Sequence, residues 1–283
     1  MEHYDLNVIV TSKNRPAQLD LLLRSMIKNF KEIKKIHVLY KSTTNDFDAG
    51  YELLKEKLNL DNIFYVKEKN FKGDYLSILN NITTNFFMNF CDDNVVIDDF
   101  GIDFLLKAFE SDEDIINVSL RLNPKYNFCY TAQKNIDIPD FEAKENYIKW
   151  DWTKCDPNLD WGYCQPQDTN IYKTNEYKNL VSKFNIHNAC IEDELHISRN
   201  RNKKYMIAPT KTKIITIANN RAQDWNANMF HSKKQEYSLE NLTLLYLNKK
   251  QIRLDDIEQL KNKDILQGHL EYDFQFVDFG EKL

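Results

Sequence analysis

Residues 86–100 read FFMNFCDDNVVIDDF. An apolar run suited to the middle of a sheet ends in two adjacent carboxylates, Asp92 and Asp93, and a short apolar step leads to a second pair, Asp98 and Asp99. Adjacent like charges repel, and burying either one unpaired is costly. The placement predicts a positive partner at the mouth of this strand. A second acidic stretch, IEDEL at 191–195, has the charge that the first turn of a helix favours. Asp98 and Asp99 read as the start of the next helix, 100–110, rather than as ligands.

The segments that hold these acids alternate in period. LNVIVT (6–11) is a β-branched apolar run and reads as a buried strand. SKNRP is turn chemistry, with Pro16 suited to the first turn of a helix whose Leu19, Leu22, Leu23, Met26 and Ile27 fall at helical spacing. Strands follow at 36–40, 62–66 and 85–90, with amphipathic helices at 49–60 and 73–82 between them. Strands alternating with such helices predict βαβ units and a mostly parallel sheet. Ligands of such sheets bind at the carboxyl ends of the strands, where Asp92 and Asp93 lie.

Beyond residue 100 the rhythm loosens. A helix (101–111) and a strand (115–122) precede a long polar and aromatic stretch, 123–170, without clean period. A long irregular segment of this kind is often functional. A helix near 175–184, strands in KYMIAP and KTKIITIA, and a helical, charged tail from Ser238 complete the chain.

With 283 residues, 42% of them hydrophobic and only six each of Gly and Pro, the chain is long enough for a large core and unlike a disordered or collagenous one. A net charge of −5 argues against general nucleic-acid binding. Five scattered cysteines without a C-x-x-C pair point to neither a zinc site nor a disulfide framework, and so to a reducing compartment. No signal peptide or apolar run of about 18 residues is evident, so a cytoplasmic protein without a transmembrane segment is expected.

The order of VIVTSKNRP, FCDDNVVIDDF and NACIEDELHIS along roughly residues 6–220 resembles the family 2-like glycosyltransferases of GT-A fold. The resemblance implies a Rossmann-like α/β sheet flanked by helices, with an irregular acceptor-side region and a C-terminal helical tail. It divides the chain into a glycosyltransferase domain, 1–220 (nucleotide half 1–100, acceptor half 101–220), and an extension, 221–283, of the same domain. It also implies an inverting transfer from a nucleotide-diphospho-sugar, UDP-linked by preference, to a glycan acceptor. A lipid-linked acceptor or a partner would make the protein peripheral to a membrane. Thr11, Ser12, Arg15, Lys41, Asp74, Asp92 and Arg221 fall to the donor, Asp93 and His231 to Mn²⁺ or Mg²⁺, and Asp193 beside Glu192 to the general base. The family's D-D-G-S turn after the second strand is replaced by YKSTTND, and Cys91 stands at a place that is more often acidic.

The chemistry suits those residue types. Mg²⁺ and Mn²⁺ take oxygen ligands, often one or two carboxylates plus substrate phosphates. An attacking hydroxyl needs a general base within hydrogen-bond reach. Trp150, Trp152, Trp161 and Tyr163 offer aromatic faces for a sugar, or equally a core. Two other readings remain: a GT-A-like scaffold that binds a glycan or partner without turnover, and a sugar nucleotidyltransferase, against which the glycine-free TSKNRP loop argues.

Overall fold

The computed structural model describes residues 4–99, 101–184, 202–222 and 231–280. Strand β1 (Leu6–Lys13) is buried along nearly its whole length, as a central strand covered on both faces must be. Helix α1 (Pro16–Asn29) follows, with Pro16 in the first turn, where a missing N–H costs nothing. Then come β2 (Ile33–Lys41), α2 (Asn45–Lys57), β3 (Ile63–Lys67), α3 (Phe71–Asn80) and β4 (Phe86–Cys91). Thr44 caps α2 by accepting from the Phe47 N–H, and Asn70 caps α3 by accepting from that of Gly73.

The main sheet runs β3-β2-β1-β4 and then β11 (Asn170–Lys173), β6 (Ile115–Ser119), β12 (Tyr205–Pro209), β10 (Tyr147–Asp151) and β9 (Phe141–Ala143). The first four strands are parallel, and Thr11 lies opposite both Leu39 and Cys91. The chain steps outward from β1 to β2 and β3, then returns to place β4 on the other side of β1. The carboxyl ends of β1 and β4 are therefore a topological switch point, the place where sheets of this kind form a ligand crevice. The other half is mixed: β11 is antiparallel to both β4 and β6, and β12 is parallel to β6. Antiparallel β10 and β9 form the far edge. The mostly parallel arrangement that was expected thus holds for the first four strands and gives way to mixed pairing beyond β4.

Two expectations need correction. Helix α4 (Asp103–Ser111) begins after Ile102 with no side-chain cap; Asp98 is paired with Lys213, and Asp99 with Lys31 at 3.0 Å. The tail is not continuously helical. Helix α5 (Thr174–Val181) lies beside β11, α6 (Leu239–Leu247) stops at Asn248, and β14 (Lys250–Ile252) then pairs with β16 (Phe276–Asp278), with short α7 (Leu254–Glu258) between them. Lys249 takes a left-handed φ of 61° at the turn out of α6.

The tail is fastened to α1 through a buried carboxylate. Asp20, fully buried, accepts from Arg24 Nε at 2.7 Å, from Lys57 Nζ at 2.6 Å and from the Tyr246 hydroxyl at 3.1 Å. A second connection reaches the acid turn. β5 (Asn94–Val96) pairs with β13 (Ile214–Ile217), which pairs with β15 (His269–Leu270). The backbone of residues 93–96 is thereby held from both the sheet and the tail.

Candidate functional site

Arg15 is the junction of the switch-point crevice. Its Nη1 donates to Asp92 Oδ1 at 2.8 Å and to Asp93 Oδ2 at 2.9 Å. Its Nε and Nη2 donate to the side chain and backbone oxygens of Asn220 at 2.9 and 2.6 Å. The second oxygen of Asp92 accepts the Lys13 N–H at 3.1 Å. The fork geometry of a guanidinium suits such a bridge; an ammonium could not reproduce it. The turn that aims Arg15 depends on Asn14, at φ 57°. Asn tolerates this region better than most residues. Its amide exchanges hydrogen bonds with Thr43, to the hydroxyl at 2.8 Å and from the N–H at 2.9 Å. Neither Asn14 nor Asn220 stood out in the sequence.

The surroundings of Asp93 disfavour its charge. Burial opposes charge on Arg15, but Asp92 and Asp93 keep it protonated above its ordinary range. Burial pushes the Asp93 carboxyl up to about 6; Arg15 opposes this, while Asp92 and Asp168 add to it. At Asp93, burial together with Asp92 and Asp168 outweighs that one guanidinium. The positive partner predicted for the acidic pair is present in part, as Arg15.

On the far side of the acid turn lies a cavity of about 240 Å³, lined among others by Arg121, Asp160, Tyr163, Asp168 and His269. Asn94 joins the two regions: its Oδ1 accepts the Cys91 N–H, and its Nδ2 donates to Asp168 Oδ2, both at 2.8 Å. Arg121 Nη2 donates to the same Asp168 oxygen at 2.6 Å and to the Thr216 hydroxyl at 2.8 Å. Burial opposes charge on Asp168, but Arg121 foremost holds its carboxyl below the usual range. Burial and Arg121 push His269 down to about 4, which leaves it neutral at neutral pH. Thr169, next to Asp168, is buried at φ 61°. A β-branched residue there is strained, and such strain concentrates at functional sites. Of these residues only Tyr163 was singled out in the sequence.

The structure separates the expected site residues. Arg15, Asp92 and Asp93 converge at the crevice, as described. Thr11 and Ser12 line β1 but turn inward: Thr11 Oγ1 donates to the Phe90 carbonyl at 3.4 Å, and Ser12 Oγ lies 2.7 Å from the Tyr51 hydroxyl. Lys41 is exposed at the end of β2 and pairs with Glu68 at 3.0 Å. Asp74 is a helix-capping residue rather than a free ligand, because its Oδ2 accepts the N–H groups of Lys69 and Asn70 at 2.7 and 2.9 Å. Arg221 is half-buried beside the Asn220 that holds Arg15. Asp193 and Glu192 lie outside the described residues.

The tryptophans are a correction. Trp150, Trp152 and Trp161 are at most 3% exposed and belong to one core cluster, so they offer no face to a sugar. Each indole N–H donates to a backbone carbonyl, those of Trp161, Lys203 and Tyr126 respectively. Trp150 and Trp161 meet edge to face with ring centroids 5.0 Å apart. Of the four aromatics, only half-buried Tyr163 lines the cavity.

Among the described residues no group of three or more His, Cys, Asp or Glu side chains is arranged for a metal. A carboxylate such as Asp93 is the kind of oxygen donor used by a divalent ion that takes its remaining ligands from substrate phosphates. Burial disfavours charge on Asp93, and His231 Nδ1 is buried without a hydrogen-bond partner among the described residues. Among the described residues no helix is long and apolar enough to cross a membrane.

No family model matches the chain, and no curated protein matches it in sequence. Among solved structures it is similar to S. aureus TarS 1–349 in complex with UDP-GlcNAc, at 15% identity and a TM-score of 0.46, over 92% of this chain and 68% of that one. The likeness to another structure of TarS 1–349 has 14% identity and a TM-score of 0.46, over 72% of this chain and only 57% of that one. A mannosyltransferase, PcManGT from Pyrobaculum calidifontis, in complex with GDP-Man and Mn²⁺, is similar over 42% of this chain and 36% of its own, at 14% identity and a TM-score of 0.32.

Proposed function

We propose that the chain is an inverting, divalent-metal-dependent glycosyltransferase that moves a sugar from a nucleotide-diphospho-sugar, UDP-linked by preference, to a glycan acceptor. The observation that carries this reading is the Arg15-bridged pair Asp92 and Asp93. It lies at the switch point of a parallel half-sheet, and burial, with the neighbouring carboxylates, disfavours charge on Asp93.

Each residue then has a task. Arg15 fixes the acid turn against the loop after β1, so that Asp93 meets the donor in one geometry. Asp93 and His231 would hold Mn²⁺ or Mg²⁺. The chemistry the ion supplies when bound is neutralisation of charge gathering on the departing diphosphate. Arg221 suits a phosphate oxygen as a fork-shaped donor. Asp193, with Glu192 beside it, takes the proton of the attacking hydroxyl. That role and the inversion rest on the resemblance of the IEDEL stretch.

The test is the thermal midpoint of the full chain with UDP, GDP, CMP and TDP, each with and without Mn²⁺. A ligand that binds only the folded state raises the midpoint. The expected result is stabilisation by UDP only when Mn²⁺ is present, abolished in Asp93→Asn. No shift with any nucleotide would leave a GT-A-like binding scaffold in place of a transferase.

A further inference from the structure

The cavity beyond the acid turn has walls drawn from six separate stretches: the end of β6, Thr131, the 158–163 loop, the lead-in to β11, Met206 of β12, and β15. Its volume of about 240 Å³ lies just under the range of about 300–1,000 Å³ that holds drug-sized ligands, which suits a single small ring. Asp160 and Asp168 contribute two carboxylates, and Arg121 one guanidinium that already donates to Asp168. No ion pair to Asp160 occurs among the described residues, and its charge raises the neighbouring Tyr126 hydroxyl and Cys129 thiol, in each case after burial itself. His269 Nδ1 is buried without a hydrogen-bond partner among the described residues.

Such a wall selects by chemistry. An apolar ligand would leave the buried polar groups unsatisfied, at a cost for each. Hydroxyl groups both donate and accept, so a polyhydroxylated ring can serve Asp160, His269 and Asn170 together. A carboxylate on the ring would meet an excess of like charge, whereas an ammonium would be drawn to it. The half-buried ring of Tyr163 adds an apolar surface for the carbon face of a sugar.

We infer that this cavity is a subsite for one neutral or amino-bearing sugar ring, that it rejects acidic sugars, and that Asp160 sets the discrimination. The inference rests on the transferase reading for its ligand class and adds the charge of the sugar. Asn94 ties the subsite to the acid turn, so a ring in the cavity and a diphosphate in the crevice are held relative to one another.

The test is ligand-observed NMR on the full chain with methyl glucoside, glucosamine and glucuronate, each followed by UDP-glucose as competitor, with UDP as a separate probe. Methyl glucoside and glucosamine should bind, glucuronate should bind about tenfold more weakly, and Asp160→Asn should narrow that gap. Displacement by UDP-glucose would assign the ring to the donor, and retention to the acceptor. Glucuronate binding as well as methyl glucoside in the wild type would overturn the inference without any variant. An unchanged gap in folded Asp160→Asn would overturn the role of that residue. UDP binding with no sugar binding would overturn the subsite and leave the transferase reading standing. Sugar discrimination without UDP binding would do the reverse, and binding of neither would overturn both.

Discussion

Arg15 Nη1 stands 2.8 Å from Asp92 Oδ1, a contact that joins the loop after β1 to the turn after β4 across 77 positions of sequence. Both side chains are less than 10% exposed. Removing one partner of a buried pair leaves the other uncompensated, which costs about 3–5 kcal/mol. Here the loss exposes Asp92 and Asp93 to each other as well. Arg15→Ala should therefore lower stability in urea unfolding by that order. Arg15→Lys should recover only part of it, because an ammonium cannot also hold both oxygens of Asn220. A lysine variant as stable as the wild type would show that charge alone matters at this junction.

Asp93 makes stability depend on pH in an unusual direction for a carboxylate. Its folded value, about 6, lies above the ordinary 3.8, so between those values the folded state binds more protons than the unfolded one. Stability then falls as pH rises. The contribution is complete below about pH 4 and is lost as pH passes through about 6. Asp93→Asn should flatten this slope, and the variant should be more stable than the wild type at pH 7.5 but not at pH 4. Melting curves across that range check it. A slope identical in both proteins would remove the disfavoured charge of Asp93 from the account of this site. The same variant is expected to lose transfer activity, which would mark that penalty as the cost of a cation-ready site.

What was legible in the sequence follows from periodicity. Strand β1, helix α1 and the next two βα units have apolar runs or helical spacing long enough to be unambiguous, and each lies within a few residues of its expected place. The tail is different. KQI at 250–252 is a three-residue strand, too short for any period to register, and it exists because residues 276–278 pair with it. At the site, local chemistry flagged Asp92 and Asp93, but Arg15 as their partner depends on a sheet that brings β1 beside β4. The cavity was hidden for the same reason: Arg121, Asp160, Asp168 and His269 come from four stretches with no local signature.

The tryptophans show where composition is silent, because an aromatic ring suits a sugar platform and a core equally well. The hydrogen bond from Trp150 Nε1 to the Trp161 carbonyl, at 3.0 Å, decides it. Trp150→Phe should lose that bond and leave a buried carbonyl without its donor, at about 1–3 kcal/mol. Trp161→Ala should cost about 3–5 kcal/mol by opening a cavity in the core. Both effects should be visible in denaturant unfolding. Sugar binding by folded Trp150→Phe should match the wild type; a selective loss of sugar binding at unchanged stability would return the ring to the ligand.

Gly268 is needed beside Arg121 for reasons of space. A Cβ built on Gly268 would stand 2.1 Å from Arg121 Cδ and 2.2 Å from its Cγ, closer than real atoms approach. The guanidinium stem lies directly on the backbone just before β15, and this lets Nη2 reach Asp168 at 2.6 Å. Gly268→Ala must push the stem aside, and small-to-large changes in packed sites cost about 1–3 kcal/mol. The displaced cation should also release Asp168, whose carboxyl Arg121 holds below its ordinary range against the effect of burial. The Asp168 titration followed by carbon-detected NMR should therefore move upward in Gly268→Ala, together with a lower melting midpoint. A lower midpoint with no change at Asp168 would mean that the stem adjusts without its charge leaving the carboxylate.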